Sequence, residues 1–403
     1  MAWNIGANDV ANAMGTSVGS GALTLLGAVV AAGIFEFLGA TLVGTHVTET
    51  IRKGILDASF FEGGDLRFAG DGLRTLMLGM VASLLAAGLW LQIATMLGLP
   101  VSTTHSIVGA VIGFGLLAVG MKAVSWGTVG LIVASWVLSP TLGAVLGAGM
   151  FLVISRRILR AENPPEAVKT LGPHLVALVA FILVLSVVYK GLENVVSEPE
   201  WWMVGLTAAA VAGLAYAITR RLLDPTRADP ERPFDYVERI FGRLQVATAC
   251  YVAFAHGAND VANAVGPAAA VVQIATLGEL PGKVPVPMWV LALGAAGIVL
   301  GLATWGYKVI ATVGRKITEI TPTRGFSAEF GAATTVLIAS RLGMPISTTH
   351  TLVGSVIGVG LARGIGALNL RVVGNILYSW LATLPAAAAF SAGLFLALRA
   401  LLL

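Results

Sequence analysis

The amino-acid sequence predicts an all-α integral membrane protein that crosses the bilayer many times. Of its 403 residues, 57% are hydrophobic and 11% are charged, whereas soluble domains carry about 25% charged residues. Apolar runs such as 76–99 are long enough to span a hydrocarbon core, because a spanning helix needs about 20 residues. These runs do not alternate between apolar and polar residues, as the strands of a membrane barrel do.

The sequence also contains an internal duplication. Three pairs of segments match in the same order along the chain: 6–13 with 257–264, 98–116 with 343–361, and, more weakly, 38–55 with 300–317. The first pair is the octapeptide GANDVANA in both copies. The second pair is identical at 13 of 19 positions and contains the string STTH. The spacing is far too long for a solenoid, so the pattern indicates two related halves.

Counting apolar segments predicts about 12 spans in two inverted repeats. Five segments lie in a first repeat (1–155), two in a middle region with a hydrophilic linker (156–242), and five in a second repeat (243–403). Seven crossings separate equivalent points, and because seven is odd, the two copies face opposite sides of the membrane. A re-entrant segment would weaken this parity argument. Inverted repeats with broken helices are typical of secondary transporters.

The distribution of basic residues predicts the orientation. Four loops, near 156–173, 219–243, 308–325 and 363–371, carry 16 of the 25 Lys and Arg residues. The positive-inside rule makes these loops cytoplasmic and places both termini outside a plasma or inner membrane. The first GANDVANA copy follows only five residues, so we expect that the native chain begins earlier or that the first half-helix is short.

The GANDVANA motif predicts a cation site at a broken helix. Gly6 permits unusual backbone angles, and an Asn-Asp pair suits the cap of a following helix. Polar groups inside a bilayer are costly and mark functional sites. Helix capping with interhelical hydrogen bonds is the alternative. The candidate cation ligands are Asn8, Asp9, Asn12, Asn259, Asp260 and Asn263.

The STTH motif predicts an anion site at a helix N-terminus. Pro100 disfavours helix at the residue before it, and Ser102 suits the N-cap of the helix that follows. The first N–H groups of a helix lack partners within it and bind anions. An ordinary helix start is the alternative. The candidate anion ligands are Ser102, Thr103, Thr104, Ser347, Thr348 and Thr349.

Together the two motifs predict co-transport of a cation and an anion. The anion site contains no Lys or Arg, and carboxylates in the partner motif would repel an anion bound alone. A cation on Asp9 and Asp260 removes this repulsion, and their hard oxygen ligands suit Na⁺. H⁺ is the alternative coupling ion, because His105 and His350 can take up protons. These histidines would bond the anion, relay protons or hold the turn.

Two further acids lie in apolar segments. Glu36 and Glu329 are candidates for coupling or gating, with a satisfied interhelical contact as the alternative. An enzyme is not predicted, because a hydrolase triad needs one nucleophile and one base rather than a symmetric duplicate. The sequence also lacks a phosphate-binding glycine loop with lysine. An ion channel is a further alternative to a transporter.

The paired GANDVANA and STTH segments resemble those of the inorganic phosphate transporter (Pit/PiT) family, over essentially the whole chain. The resemblance implies a secondary transporter of inorganic phosphate, driven by a sodium or proton gradient, with inverted repeats and a homodimer. We expect no cofactor besides the coupling ion. With this substrate, we expect the six Ser and Thr residues of the two STTH motifs to bind phosphate, and Asp9 and Asp260 to bind Na⁺. The segment 35–44, FEFLGATLVG, resembles another family segment, and this strengthens the prediction that Glu36 acts in coupling or gating.

The substrate and the coupling ion remain open within this resemblance. The short linker near 220–243 resembles the compact prokaryotic branch of the family. Proton coupling, symport of a metal–phosphate complex, and transport of sulfate or another tetrahedral oxyanion are the alternatives.

Overall fold

The computed structural model describes residues 1–43, 55–62, 66–68, 71–186, 188, 200–279, 286–341 and 346–402, which form fourteen α-helices. In chain order these helices are α1 Ala2–Asp9, α2 Ala11–Gly19, α3 Leu25–Val43, α4 Gly72–Met96, α5 Thr103–Ala118, α6 Trp126–Ile154, α7 Pro164–Ser186, α8 Trp201–Leu222, α9 Pro233–Leu277, α10 Met288–Trp305, α11 Tyr307–Arg315, α12 Pro322–Arg341, α13 Thr348–Arg363 and α14 Leu370–Leu402. The described residues contain no β-strand beyond two isolated bridges.

Eight of the helices in the described residues are long and apolar enough to cross a membrane, which confirms the all-α membrane class. They are α3, α4, α6, α7, α8, α9, α10 and α14. Leucines such as Leu26 (74% exposed) and Leu381 (79% exposed) lie on the outer faces of the bundle, where lipid would surround them. The shorter α5 is also apolar. The predicted total of 12 spans stays a prediction.

The two STTH motifs begin short helices that start inside the protein. Ser102 caps α5 by accepting a 3.2 Å hydrogen bond from the backbone N–H of His105. Ser347 caps α13 through the same bond from His350, again at 3.2 Å. Each helix has 16 residues and is about 24 Å long. The predicted N-caps are therefore confirmed in both copies.

The helices of the two halves cross each other in duplicate. A methyl group on Gly6 would lie 1.8 Å from the carbonyl oxygen of Ile298, where α1 crosses α10. A methyl group on Gly257 would lie 2.2 Å from the carbonyl oxygen of Glu36, where α9 crosses α3. Gly6 and Gly257 are the same residue of the two GANDVANA copies. They therefore serve close helix packing, and Ile298 occupies the place that matches Glu36.

The predicted break at GANDVANA is wrong for the second copy, which lies inside the continuous helix α9. In the first copy only Val10 separates α1 from α2, and its backbone stays near helical angles (φ −65°, ψ −19°). Neither Asn8 nor Asp9 caps α2, because Val10 holds that position and no side-chain cap bond is made. The helix α9 also begins at Pro233, so it includes the end of the predicted linker.

The four basic loops lie at one end of the bundle. Glu238 near the start of α9 accepts a 2.8 Å hydrogen bond from the backbone N–H of Thr323. Arg363 at the end of α13 lies 3.1 Å from the carboxylate of Glu319, which precedes α12. Leu223 after α8 joins the apolar cluster that covers the start of α7. The contacts group these loops as the charge pattern predicted.

Candidate functional site

Asp9 lies at the end of α1, where hydroxyl groups from both halves of the chain bind its carboxylate. Thr103, the first residue of α5, donates a 2.7 Å hydrogen bond to Oδ2. Thr349 on α13 donates a hydrogen bond to Oδ1. All three side chains are buried. The N-termini of α5 and α13 therefore meet at this carboxylate.

Asp260 has a corresponding place in the second half. Thr348, the first residue of α13, donates a 2.8 Å hydrogen bond to its Oδ2. The amide of Asn263, one turn along α9, donates to Oδ1 at 3.1 Å, and the amide of Asn259 lies at 3.4 Å. Asn263 also donates to the hydroxyl of Thr103 at 3.1 Å. The two aspartates are thus linked through side chains that we predicted as ligands.

The hydroxyl of Thr104 takes part in the same network, since it accepts a hydrogen bond from Asn263 at 3.3 Å. The six Ser and Thr residues of the two STTH motifs are buried and divide into two groups. The serines cap the helices, whereas the threonine hydroxyls contact the GANDVANA side chains. The structure therefore brings the predicted anion residues together with four of the predicted cation residues, Asp9, Asn259, Asp260 and Asn263, in one centre.

His256 joins this centre, although it is not among the residues predicted from the sequence. Its Nε2 lies 2.9 Å from Oδ2 of Asp260 and 3.6 Å from Oδ2 of Asp9. Its Nδ1 lies 2.9 Å from Oε1 of Glu36. The sequence signal was its position directly before the second GANDVANA, where the first copy has Ile5. A comparison of the residues that flank the duplicated octapeptide would have found it.

The centre is rich in oxygen atoms, negatively charged and closed to solvent. Side chains of Asp9, His256 and Asp260 place ligand atoms within 4.8 Å of one another. Carboxylate, amide and hydroxyl oxygens are ligands for hard cations. The positive ends of two helix dipoles point to the same place, which favours an anion. The geometry therefore suits a cation and an oxyanion bound side by side.

Comparison with known proteins identifies the family. Residues 5–391 match the model of the phosphate transporter family. The chain belongs to this family. A protein of Pyrococcus abyssi that bears the name of a phosphate permease is 49% identical over 395 residues, covering 98% of this chain and 94% of the relative. Inorganic phosphate transporter 2-1 of Arabidopsis thaliana, a chloroplastic protein, is 46% identical and covers 96% of this chain and 68% of its own length.

A solved structure described as the sodium-dependent phosphate transporter is similar to this chain along its whole length. The two share 43% sequence identity with a TM-score of 0.89, and the match covers 100% of this chain and 97% of the other. The resemblance predicted from the motifs is confirmed, and so is the prediction of a transporter rather than an enzyme.

Asn8, which was predicted as a cation ligand, instead contacts the segment before α5. Its amide nitrogen donates to the hydroxyl of Thr95 at 2.9 Å and to the carbonyl of Leu99 at 3.0 Å. Its amide oxygen accepts from the backbone N–H of Val101 at 3.1 Å. Asn8 thus holds the loop that leads into α5. The side chain of Asn12 lies outside the described residues.

Glu329 lies apart from the centre in a second polar cluster. Its carboxylate accepts hydrogen bonds from Thr16 at 2.6 Å, Ser17 at 2.8 Å and Gln245 at 3.1 Å. Thr248 donates to its other oxygen. The donors come from α2 and α9, so Glu329 on α12 joins three helices. The cluster is buried, and these four donors are uncharged groups.

The histidines of the two STTH motifs meet each other. The ring centres of His105 and His350 are 4.2 Å apart. His105 packs on Trp136 of α6 at 3.4 Å, and His350 stacks on Trp380 of α14 at 3.7 Å. This four-ring column supports the alternative in which the histidines hold the turns.

Proposed function

We propose that this member of the phosphate transporter family imports inorganic phosphate together with a cation, with Na⁺ favoured, by alternating access. One observation carries the proposal. The threonine hydroxyls at the N-termini of α5 and α13 donate their hydrogen bonds to Asp9 and Asp260. The residues that we predicted as phosphate ligands thus share their donors with the predicted cation ligands.

This sharing gives a physical reason for coupling. A phosphate ion at the helix N-termini needs the hydroxyl donors of Thr103 and Thr348, which stabilise the carboxylates. A carboxylate that loses its donors in a buried site is strongly destabilised unless a cation approaches it. Na⁺ on Asp9 and Asp260 supplies that charge and reduces the repulsion between the carboxylates and phosphate. Each ion therefore favours the binding of the other.

The similar solved structure supports Na⁺ as the coupling ion, because that protein is described as sodium-dependent and shares 43% of its residues with this chain. The six Ser and Thr residues of the two STTH motifs are the proposed phosphate ligands. Asp9 and Asp260, with Asn259 and Asn263, are the proposed cation ligands. Asn12 stays a prediction, and Asn8 acts through the loop that it holds.

Duplicated helix crossings support the proposal of inverted repeats, since the glycine contacts of α1 on α10 recur for α9 on α3. Two related halves that meet at one central site suit alternating access. The shared end of the basic loops supports a cytoplasmic position for that end. The homodimer implied by the resemblance stays a prediction.

Radiolabelled phosphate uptake into proteoliposomes tests the function. We expect accumulation with an inward sodium gradient at equal pH, and none with an inward proton gradient alone. Uptake only with the proton gradient would show that H⁺, rather than Na⁺, is the coupling ion. Uptake of sulfate instead of phosphate would change the substrate. Phosphate flux that never exceeds the equilibrium distribution, whatever the gradient, would indicate a channel.

A further inference from the structure

The two halves place different residues behind the duplicated motif. The glycine contacts match Glu36 with Ile298, and the alignment of the octapeptides matches His256 with Ile5. Both isoleucines are buried in the same apolar cluster, with 0% exposure for Ile5 and 1% for Ile298. Where one half has an isoleucine pair, the other has a glutamate and a histidine.

The polar pair connects directly to one of the two carboxylates. His256 Nδ1 lies 2.9 Å from Glu36, and its Nε2 lies 2.9 Å from Asp260. The distance from Nε2 to Asp9 is longer, 3.6 Å. Glu36, His256 and Asp260 are each about 1% exposed or less. Water therefore does not compete for these contacts, and the pair acts more closely on Asp260 than on Asp9.

The arrangement can fix the orientation of a ligand. Oε1 of Glu36 faces one nitrogen of the ring at 2.9 Å, and Oδ2 of Asp260 faces the other nitrogen at 2.9 Å. Ligand carboxylates and histidines in metal sites are oriented by such outer partners, and loss of a partner typically lowers metal affinity about 10- to 100-fold. Asp260 therefore lies within ion-pair distance of a Glu–His pair whose equivalents in the other half, Ile5 and Ile298, have no polar side-chain atom.

We propose that Glu36 and His256 are positioning residues for the cation site at Asp260, and that the two duplicated cation sites are consequently unequal. The proposal rests on the proposed function, since it assigns cations to the aspartates. Glu36 and His256 touch neither phosphate nor Na⁺ in this proposal. They hold the Asp260 carboxylate in the position that binds the cation.

The test replaces the polar pair by the pair of the other half, Glu36→Ile with His256→Ile. Replacing both partners leaves neither Glu36 nor His256 buried without the other, and Asp260 keeps its hydrogen bonds from Thr348 and Asn263, so this variant is expected to fold. We expect the Na⁺ concentration that half-saturates the purified protein, measured with radioactive sodium without phosphate, to rise about tenfold or more. The phosphate KM at saturating Na⁺ should change less. The matched control, Ile5→Val with Ile298→Val, should keep the Na⁺ curve of the wild type.

A folded double-isoleucine variant with the wild-type Na⁺ curve, or with tighter Na⁺ binding, would overturn the proposal. If this variant does not fold, His256→Gln is measured instead. Glutamine keeps a hydrogen-bond donor but removes the ring that contacts both Glu36 and Asp260, so we expect the same rise in the half-saturating Na⁺ concentration. The replacement is also combined with Asp260→Asn, where it should have no further effect on Na⁺ binding, and with Asp9→Asn, where its effect should persist. Equal effects in both backgrounds would show that the pair does not act through Asp260.

Direct sodium binding separates this inference from the function on which it rests. If the wild type binds Na⁺ but does not take up phosphate, the proposed function fails. The comparison of Na⁺ binding between the variants still tests the positioning role. If the wild type couples Na⁺ to phosphate and the double-isoleucine variant behaves identically, only the positioning role fails. A wild type that binds no Na⁺ would overturn both.

Discussion

The hydroxyl group of Thr349 donates a hydrogen bond to the carboxylate of Asp9, which lies 340 residues earlier in the chain. A helix N-terminus of the second half is thereby joined to the acid of the first half. Asn263 makes a second link between the halves by donating to Thr103 at 3.1 Å. The centre is therefore assembled across the duplication, and a relative movement of the halves must change these bonds.

Replacing Thr349 by valine should weaken phosphate binding. The substitution removes a hydroxyl donor at a helix N-terminus while nearly keeping the side-chain volume. Hydrogen bonds to charged groups contribute about 1.5–3 kcal/mol, so the phosphate KM should rise about tenfold or more. Thr104→Val should act in the same direction. Initial rates of phosphate uptake at saturating Na⁺ measure both effects.

Thr304→Val is the matched control for these threonine variants. Thr304 is exposed on α10, and its hydroxyl bonds the carbonyl of Leu300 in its own helix at 2.8 Å. We expect an unchanged phosphate KM for this variant. Unaltered phosphate binding in both Thr104→Val and Thr349→Val would place the anion site elsewhere.

Neutralising either central aspartate should reduce the sodium dependence of uptake more than the stability of the fold. Asp9→Asn and Asp260→Asn keep the shape of the side chain but remove the charge that attracts a cation. The activation curve for Na⁺ should shift to higher concentration, and its steepness should fall as one site is lost. Asp229→Asn in the exposed linker is the control. Unchanged sodium dependence in both central variants would refute the cation role.

The fold class and the helix starts could be predicted because they depend on local sequence. Apolar composition sets the spans, and Ser102 and Ser347 cap the helices that begin one residue later. The prediction of a helix break at the second GANDVANA was wrong, because tertiary contacts satisfy the polar side chains of Asp260 and Asn263 within a continuous helix. Intrinsic helix propensity is a weak guide where such contacts exist.

The partners in the centre could not be predicted from spacing. Asp9 and Thr349 are brought together by the packing of whole helices, which no local pattern encodes. Asn8 has the residue type of a ligand, but its amide group is hydrogen-bonded to the backbone of Leu99 and Val101. His256 was missed because its signal is a difference between the residues that precede the two octapeptide copies, with His256 before one and Ile5 before the other, rather than a periodic pattern.

Asn8→Ala should therefore destabilise the protein rather than remove a cation ligand. The change leaves the buried N–H group of Val101 without its acceptor, and each unsatisfied group costs about 1–3 kcal/mol. We expect a lower unfolding temperature in detergent and a higher phosphate KM, with the steepness of the Na⁺ curve retained. A loss of that steepness with a normal unfolding temperature would instead favour the ligand role.

Glu329→Gln should impair uptake by loosening the contact between α2, α9 and α12. Glutamine keeps one acceptor oxygen but turns an amide donor towards hydroxyl donors, at about 1–3 kcal/mol for each group left unpaired. A cavity of about 520 Å³ at the end with the basic loops is lined by residues that include Ser20 and Arg243. Ser20 connects it to Glu329, because its hydroxyl donates to Gln245 at 2.7 Å and Gln245 donates to the carboxylate at 3.1 Å.

This path from the cavity predicts a gating effect for Glu329→Gln. Net uptake and phosphate exchange should both fall about tenfold or more, whereas Na⁺ binding to the purified protein should stay close to that of the wild type. Glu319→Gln is the control, since Glu319 is exposed, and Arg324 and Arg363 beside it lower its pKa. It should transport normally, because exposed ion pairs contribute little. Weakened Na⁺ binding in Glu329→Gln would assign this carboxylate to the cation site instead of a gate.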